Sequence, residues 1–146
     1  MQNPNQTYSI KRLGPHIVLF NNDHPLEDPE FLSKDFLQKI LNKQQLASMQ
    51  FLGNRVRLNN FNNLSEPELH YLIRRYQKKY DSLSSISISV DEKKFRKNRL
   101  IMTGHHETGC CFEQHCEIIR GRWRMELCRQ EEEWLVVSVD VEGVDF

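Results

Sequence analysis

The apolar pattern of this chain changes its period once, near Ser84, and that change narrows the folds open to it. Before Ser84, apolar residues recur at helical spacing. Leu32, Phe36, Leu37, Ile40 and Leu41 follow Asp28-Pro29, an N-cap and first-turn proline, and predict a helix over 29–43. Leu64-Ser65-Glu66-Pro67-Glu68 is a capping box in which Ser65 caps, Glu68 reaches back, and Leu64 staples onto Leu69. The helix behind it carries Leu69, Leu72, Ile73, Tyr76 and Tyr80 on one stripe, with Arg74, Arg75, Lys78 and Lys79 around the remainder. After Ser84, apolar and polar residues alternate by two. Ile86, Ile88 and Val90 form one such run, and Leu100 to Thr103 begins another. Trp123, Met125 and Leu127 alternate with Arg122, Arg124 and Glu126, and Trp134 to Val141 makes the last strand. Helices first and strands afterwards give an α+β chain, with the helices on one face of an antiparallel sheet.

Three further expectations concern the connections. Gly53-Asn54, between Met49/Phe51 and Val56/Leu58, reads as a two-residue hairpin turn. Residues 1–27 read as an N-terminal arm with one apolar island, Ile17 to Phe20, and a loose beginning; residues 28–146 form a single α+β domain. Asp91 to Asn98 either prolongs a strand or turns it, and Cys111 to Ile119 is ambiguous.

At 146 residues, with 38% apolar and 27% charged side chains, the chain has core enough to fold without metal or disulfide staples. No apolar run approaches the ~20 residues that span a bilayer. The first residues, MQNPNQTYSIKR, lack a secretory profile, so the four cysteines read as reduced thiols and the protein as cytoplasmic or nuclear. Charge is balanced at 20 basic and 20 acidic residues, which speaks against a dedicated nucleic-acid binder. Locally it is uneven. Residues 61–100 hold nine Lys/Arg against five Asp/Glu, and residues 101–146 hold four against ten.

The densest reactive cluster is His105 to Cys116, with six His or Cys side chains in twelve residues. No Cys-x2-Cys or His-x3-His spacing occurs, and strand alternation would divide the side chains between two faces, so packing is the better account than a metal site. The mixture of Arg74, Arg75, Lys78 and Lys79 with Tyr76 and Tyr80 suits phosphate contacts with stacking, but the tyrosines share the apolar stripe and turn away from the cations. No carboxylate is clearly placed on an inward face, and no serine or cysteine stands in a nucleophile elbow. No catalytic residue, cofactor or metal ligand is therefore assigned.

Met49-Gln50-Phe51-Leu52-Gly53-Asn54-Arg55-Val56 before the second helix, and Arg122-Trp123-Arg124-Met125-Glu126-Leu127 followed by Glu133-Trp134-Leu135-Val136-Val137, resemble the nuclear transport factor 2-like family. The resemblance covers about residues 29–146 and rests on element order and the closing strands. It implies helices packed on a strongly bent antiparallel sheet. It also implies one of two roles: a non-catalytic protein-binding module of the transport-factor branch, or a pocket enzyme or ligand binder of the ketosteroid-isomerase-like kind. Dimers through the sheet are frequent among its members.

Alternation in the last strand puts Leu135, Val137, Val139 and Val141 under the helices, and Trp134, Val136, Ser138 and Asp140 on the outer face. With Arg122 and Arg124 from the neighbouring strand, Trp134 and Val136 make an aromatic, aliphatic and arginine surface. That composition belongs to an interface with a protein partner, either a second copy or a related chain.

Overall fold

The computed structural model describes residues 8–11, 18–21, 28–43 and 51–146. Two helices, α1 (Pro29–Ile40) and α2 (Glu66–Gln77), pack on a curled six-stranded sheet, and an α+β architecture results. The sheet strands are β3 (Leu52–Leu58), β4 (Phe61–Leu64), β5 (Ser82–Arg96), β6 (Arg99–Phe112), β7 (His115–Gln130) and β8 (Glu133–Val141), in the order β4-β3-β8-β7-β6-β5. In the anticipated arm, β1 (Tyr8–Lys11) and β2 (Val18–Asn21) pair antiparallel as a separate ribbon. Of the ten residues expected to be loose, Tyr8 to Ile10 lie in β1, and residues 1–7 lie outside the described ones.

The caps act where the residues place them. Asp28 accepts a hydrogen bond from the Glu30 N–H, and α1 ends at Ile40 rather than 43, with Leu41 as its cap. At α2, the Glu68 N–H donates to Ser65 Oγ while the Ser65 N–H donates to Glu68 Oε1, the reciprocal pair of a capping box. Ser65→Ala is expected to cost about 1 kcal/mol and lower the melting temperature by roughly 4 °C. An unchanged melt would show that the helix start does not depend on this cap. Phe36, Leu37 and Ile40 from α1 join Leu69, Leu72, Ile73 and Tyr76 from α2 in one core. The sheet supplies Leu100, Met102, Trp123, Met125, Leu127, Val136, Val139 and Val141.

Four expectations need correcting. Gly53-Asn54 is not a turn: it lies within β3, which pairs in parallel with β8 through a register shift between Leu52 and Arg57, and the Val136 N–H donates to the Phe51 carbonyl. A Cβ on Gly53 would stand 3.3 Å from the Val136 carbonyl oxygen and 3.2 Å from Val137 Cγ1, so the glycine permits a close approach of strands. The chain turns instead at Asn59-Asn60, where Asn59 takes a left-handed φ of 50°. Met49, proposed as the start of that hairpin, lies outside the described residues.

The second correction concerns the last strand. Glu126 faces Ser138 but Leu127 faces Val136, so Val137 is an extra residue, a β-bulge. An extra residue reverses the alternation on one side of it. Val136 is consequently fully buried in the core, Leu135 and Val137 are only half-buried, and the odd residues Val139 and Val141 face inward only beyond the bulge. Val136 is thus not an outer-face residue. Third, Trp134 is half-buried against the core, edge-on to Phe95 with ring centroids 6.2 Å apart and with the Arg129 guanidinium 5.7 Å from its ring. It closes one end of the sheet.

The fourth correction is the cysteines. Cys111 and Cys116 are directly opposed across the β6–β7 hairpin and form a disulfide, whereas Cys110 and Cys128 are free thiols. The ambiguous stretch Cys111 to Ile119 is the end of β6, the two-residue turn Glu113-Gln114, both left-handed at φ 50° and 68°, and the start of β7. Asp91 to Arg96 prolongs β5 before a turn at Lys97-Asn98.

Candidate functional site on the outer face of the sheet

The sheet has two faces, and each offers a place for chemistry. On the inner face, beneath α2, the side chains of His106, Thr108 and Cys110 alternate along β6 and are buried. His106 Nε2 lies 2.7 Å from the Glu142 carbonyl oxygen, which can only accept, so Nε2 carries the proton. Its Nδ1 lies 2.9 Å from Thr108 Oγ1, within hydrogen-bond distance. Tyr76 is edge-on to Tyr80 and tilted on Phe146, with centroids 5.6 and 5.4 Å apart, and burial pushes its hydroxyl well above the ordinary tyrosine pKa.

Residues 144 and 146 pack on this side. Val144 and Phe146 are buried, Arg75 Nε donates to the Phe146 main-chain oxygen at 3.0 Å, and Asn59 Nδ2 donates to the Val144 carbonyl at 3.0 Å. Isomerase-type chemistry would need a carboxylate here. Among the described residues no Asp or Glu is buried.

The outer face carries a groove of about 640 Å³. Its walls alternate along paired strands, Thr103 opposite Arg124 and His105 opposite Arg122, with Asp140 and Glu142 on the β8 side and Asp91 on the β5 side. Arg57 forks onto Asp140, Nη1 to Oδ1 at 2.7 Å and Nη2 to Oδ2 at 2.5 Å, and also donates to Ser138 Oγ at 2.7 Å. The hydrogen bond to Asp140, more than simple attraction, raises the guanidinium pKa. His105 pairs with Asp91, and Arg124 with Glu126 at 3.6 Å. The Arg122 main-chain N–H donates to Glu142 Oε1 at 2.9 Å, but its guanidinium has no ion pair among the described residues.

Beyond the groove the same face becomes apolar. Arg120 opposes Glu107 and bonds it at 2.8 Å, and the next outward pair is Gly109 with Ile118. A Cβ on Gly109 would lie 3.6 Å from Ile86 Cδ1, so Ile86 and Ile118 flank this glycine; they are 52% and 49% exposed.

Of the four anticipated partner-binding residues, Arg122 and Arg124 line the groove, while Trp134 and Val136 do not reach it. Sequence reading missed Arg57, although its place between inward Val56 and Leu58 marks it as outward-facing; the parallel β3–β8 pairing that brings it to Asp140 has no local signal. His106 was grouped with its neighbours, but it points inward and His105 outward. Among the described residues no group of three His, Cys, Asp or Glu is placed to hold a metal ion.

No protein-family model and no curated protein matches the sequence. Solved structures resemble the fold. The Kfla4162 protein from Kribbella flavida aligns with a TM-score of 0.62 at 9% identity, over 74% of this chain and 83% of that one. An NTF2-like protein of unknown function in nutrient uptake from Rhodospirillum rubrum gives 0.54 at 10% identity, over 82% and 99%. A provisionally named scytalone dehydratase from Novosphingobium aromaticivorans gives 0.57 at 8% identity, over 77% and 78%. At these identities the likeness is one of fold, and that fold is nuclear transport factor 2-like.

Proposed function

We propose that this nuclear transport factor 2-like chain is a non-catalytic binding module that takes a second protein on the outer face of its sheet. The observation that carries the reading is the pair Ile86 and Ile118, about half exposed on either side of Gly109 and continuous with the charged groove. Exposed aliphatic side chains beside arginines have the composition of an interface.

The charges favour a second copy as the partner. A two-fold interface brings the same patch against itself, so the patch must carry both signs. This one does: the Arg122 guanidinium has no ion pair among the described residues, and Asp91 and Glu142 line the same groove. Ile118→Glu with Arg122→Glu is expected to weaken association by about tenfold or more, with an unchanged circular dichroism melt. Sedimentation equilibrium measures it. A wild type that stays monomeric, or a double variant that associates as well as wild type, overturns the reading.

A further inference from the structure

The tip of the β6–β7 hairpin lies at the opposite end of these strands from the Leu100–Leu127 core pairing. It holds three features in close order. Cys111 and Cys116 are directly opposed across the hairpin and joined by a disulfide, with their Cα atoms 4.1 Å apart. Cys116 is exposed and Cys111 half-buried, which leaves the pair open to small reagents. The turn they close is made of Glu113 and Gln114, both with positive φ, a conformation that neither residue favours. Two further hydrogen bonds tie the tip to the start of β5, from the Glu113 N–H to Asp81 Oδ2 and from the Asp81 N–H to the Cys111 carbonyl, each at 2.8 Å.

We propose that Cys111 and Cys116 form a reversible thiol–disulfide site for low-molecular-weight thiols of the glutathione class, and that its redox state sets the order of this hairpin tip. Closure is a two-electron exchange. The Cys116 thiolate attacks one sulfur of glutathione disulfide and expels a glutathione thiolate, which takes up the proton Cys116 gave up. The Cys111 thiolate then attacks the Cys116 sulfur of the mixed disulfide and expels the second glutathione, to which its proton passes. Two protein thiols are oxidised and one glutathione disulfide is reduced to two thiols.

The remaining cysteines do not compete. Cys110 points to the buried face, and burial, with the nearby Glu117 charge, pushes its thiol above the ordinary pKa, so little thiolate forms. Cys128 lies near the other end of β7, about 40 Å along a strand that rises ~3.3 Å per residue.

The test equilibrates the full chain in glutathione buffers of graded ratio, traps free thiols by alkylation, and maps them by peptide mass spectrometry. The same samples are followed by amide hydrogen exchange. The expected result is one transition in which Cys111 and Cys116 lose alkylation together with no retained glutathione, while exchange at residues 110–118 slows by about tenfold or more. Cys110→Ser should change neither readout. Cys111→Ser should retain glutathione on Cys116 and keep the fast exchange at every ratio. A pair that stays reduced in glutathione disulfide, a mixed disulfide that persists on the wild type, or equal exchange in both redox states overturns the proposal.

Discussion

Val136→Glu is expected to leave the protein unfolded, or close to it, near neutral pH. Val136 has no exposed surface, stands opposite Leu127 in the core and beside β3, and its N–H is committed to the Phe51 carbonyl. The substitution removes an aliphatic side chain whose burial contributes about 1.5–3 kcal/mol and puts a carboxylate into the apolar core. A total loss above about 4 kcal/mol would take most of the stability of a domain that typically has 5–15 kcal/mol. The introduced carboxyl would be neutral at low pH. Its burial raises its pKa in the folded state, so the unfolded state binds fewer protons and the deficit grows as pH rises through the carboxylate range. Leu135→Glu, at a half-buried neighbour, should cost much less, about 1–2 kcal/mol. Urea titrations of the two variants decide the matter. If Leu135→Glu is the more damaging, strict alternation holds and the bulge at Val137 is wrong.

The second large effect is expected at Gly104. A Cβ there would fall 1.8 Å from the Ser89 carbonyl oxygen and 2.7 Å from Trp123 Nε1. Those two groups are bonded to each other, the indole N–H donating to Ser89 at 3.0 Å across the β6 strand. Gly104→Ala must therefore separate β5 from β6 or expel the buried indole, since the obstructing atom is backbone. The expected cost is about 3 kcal/mol or more, and the melting temperature should fall by roughly 10 °C. Trp123 reports the event directly, because its fluorescence maximum should move to the red as the ring meets water. Gly109→Ala, on the outer face of the same strand, is the matched control. Its Cβ meets Ile86 at an ordinary 3.6 Å and should change stability by less than about 1 kcal/mol. Equal melts for Gly104→Ala and wild type would show that the indole does not sit in the cleft this glycine leaves.

Much of the architecture was legible because it depends on residues a few positions apart. Asp28, Ser65 and Glu68 cap helices through bonds spanning two or three residues, and these were readable directly. The Leu69 to Tyr76 stripe and the Trp123–Met125–Leu127 face follow from the periods of helix and strand, and burial agrees with both. The inward and outward sides of β7 were correct, so Arg122 and Arg124 were placed on the outer face, where they now line a groove.

What went astray has a common cause. The bulge at Val137 is a property of how β8 meets both β7 and β3, and nothing within the run Trp134 to Val141 marks it. Gly53-Asn54 carries a turn signal, but the parallel pairing of β3 with β8 overrides it and moves the turn to Asn59, whose side chain then holds Val141 and Val144 from more than eighty residues away. The Arg57–Asp140 fork spans 83 positions, and the Cys111–Cys116 bond waits on a hairpin whose turn residues, Glu and Gln, give no turn signal at all. Caps and periodicity draw their free energy from neighbours along the chain, and so they are written in the order of residues. Register, bulges and strand neighbours draw theirs from segments far apart, and so they exist only once the sheet has closed.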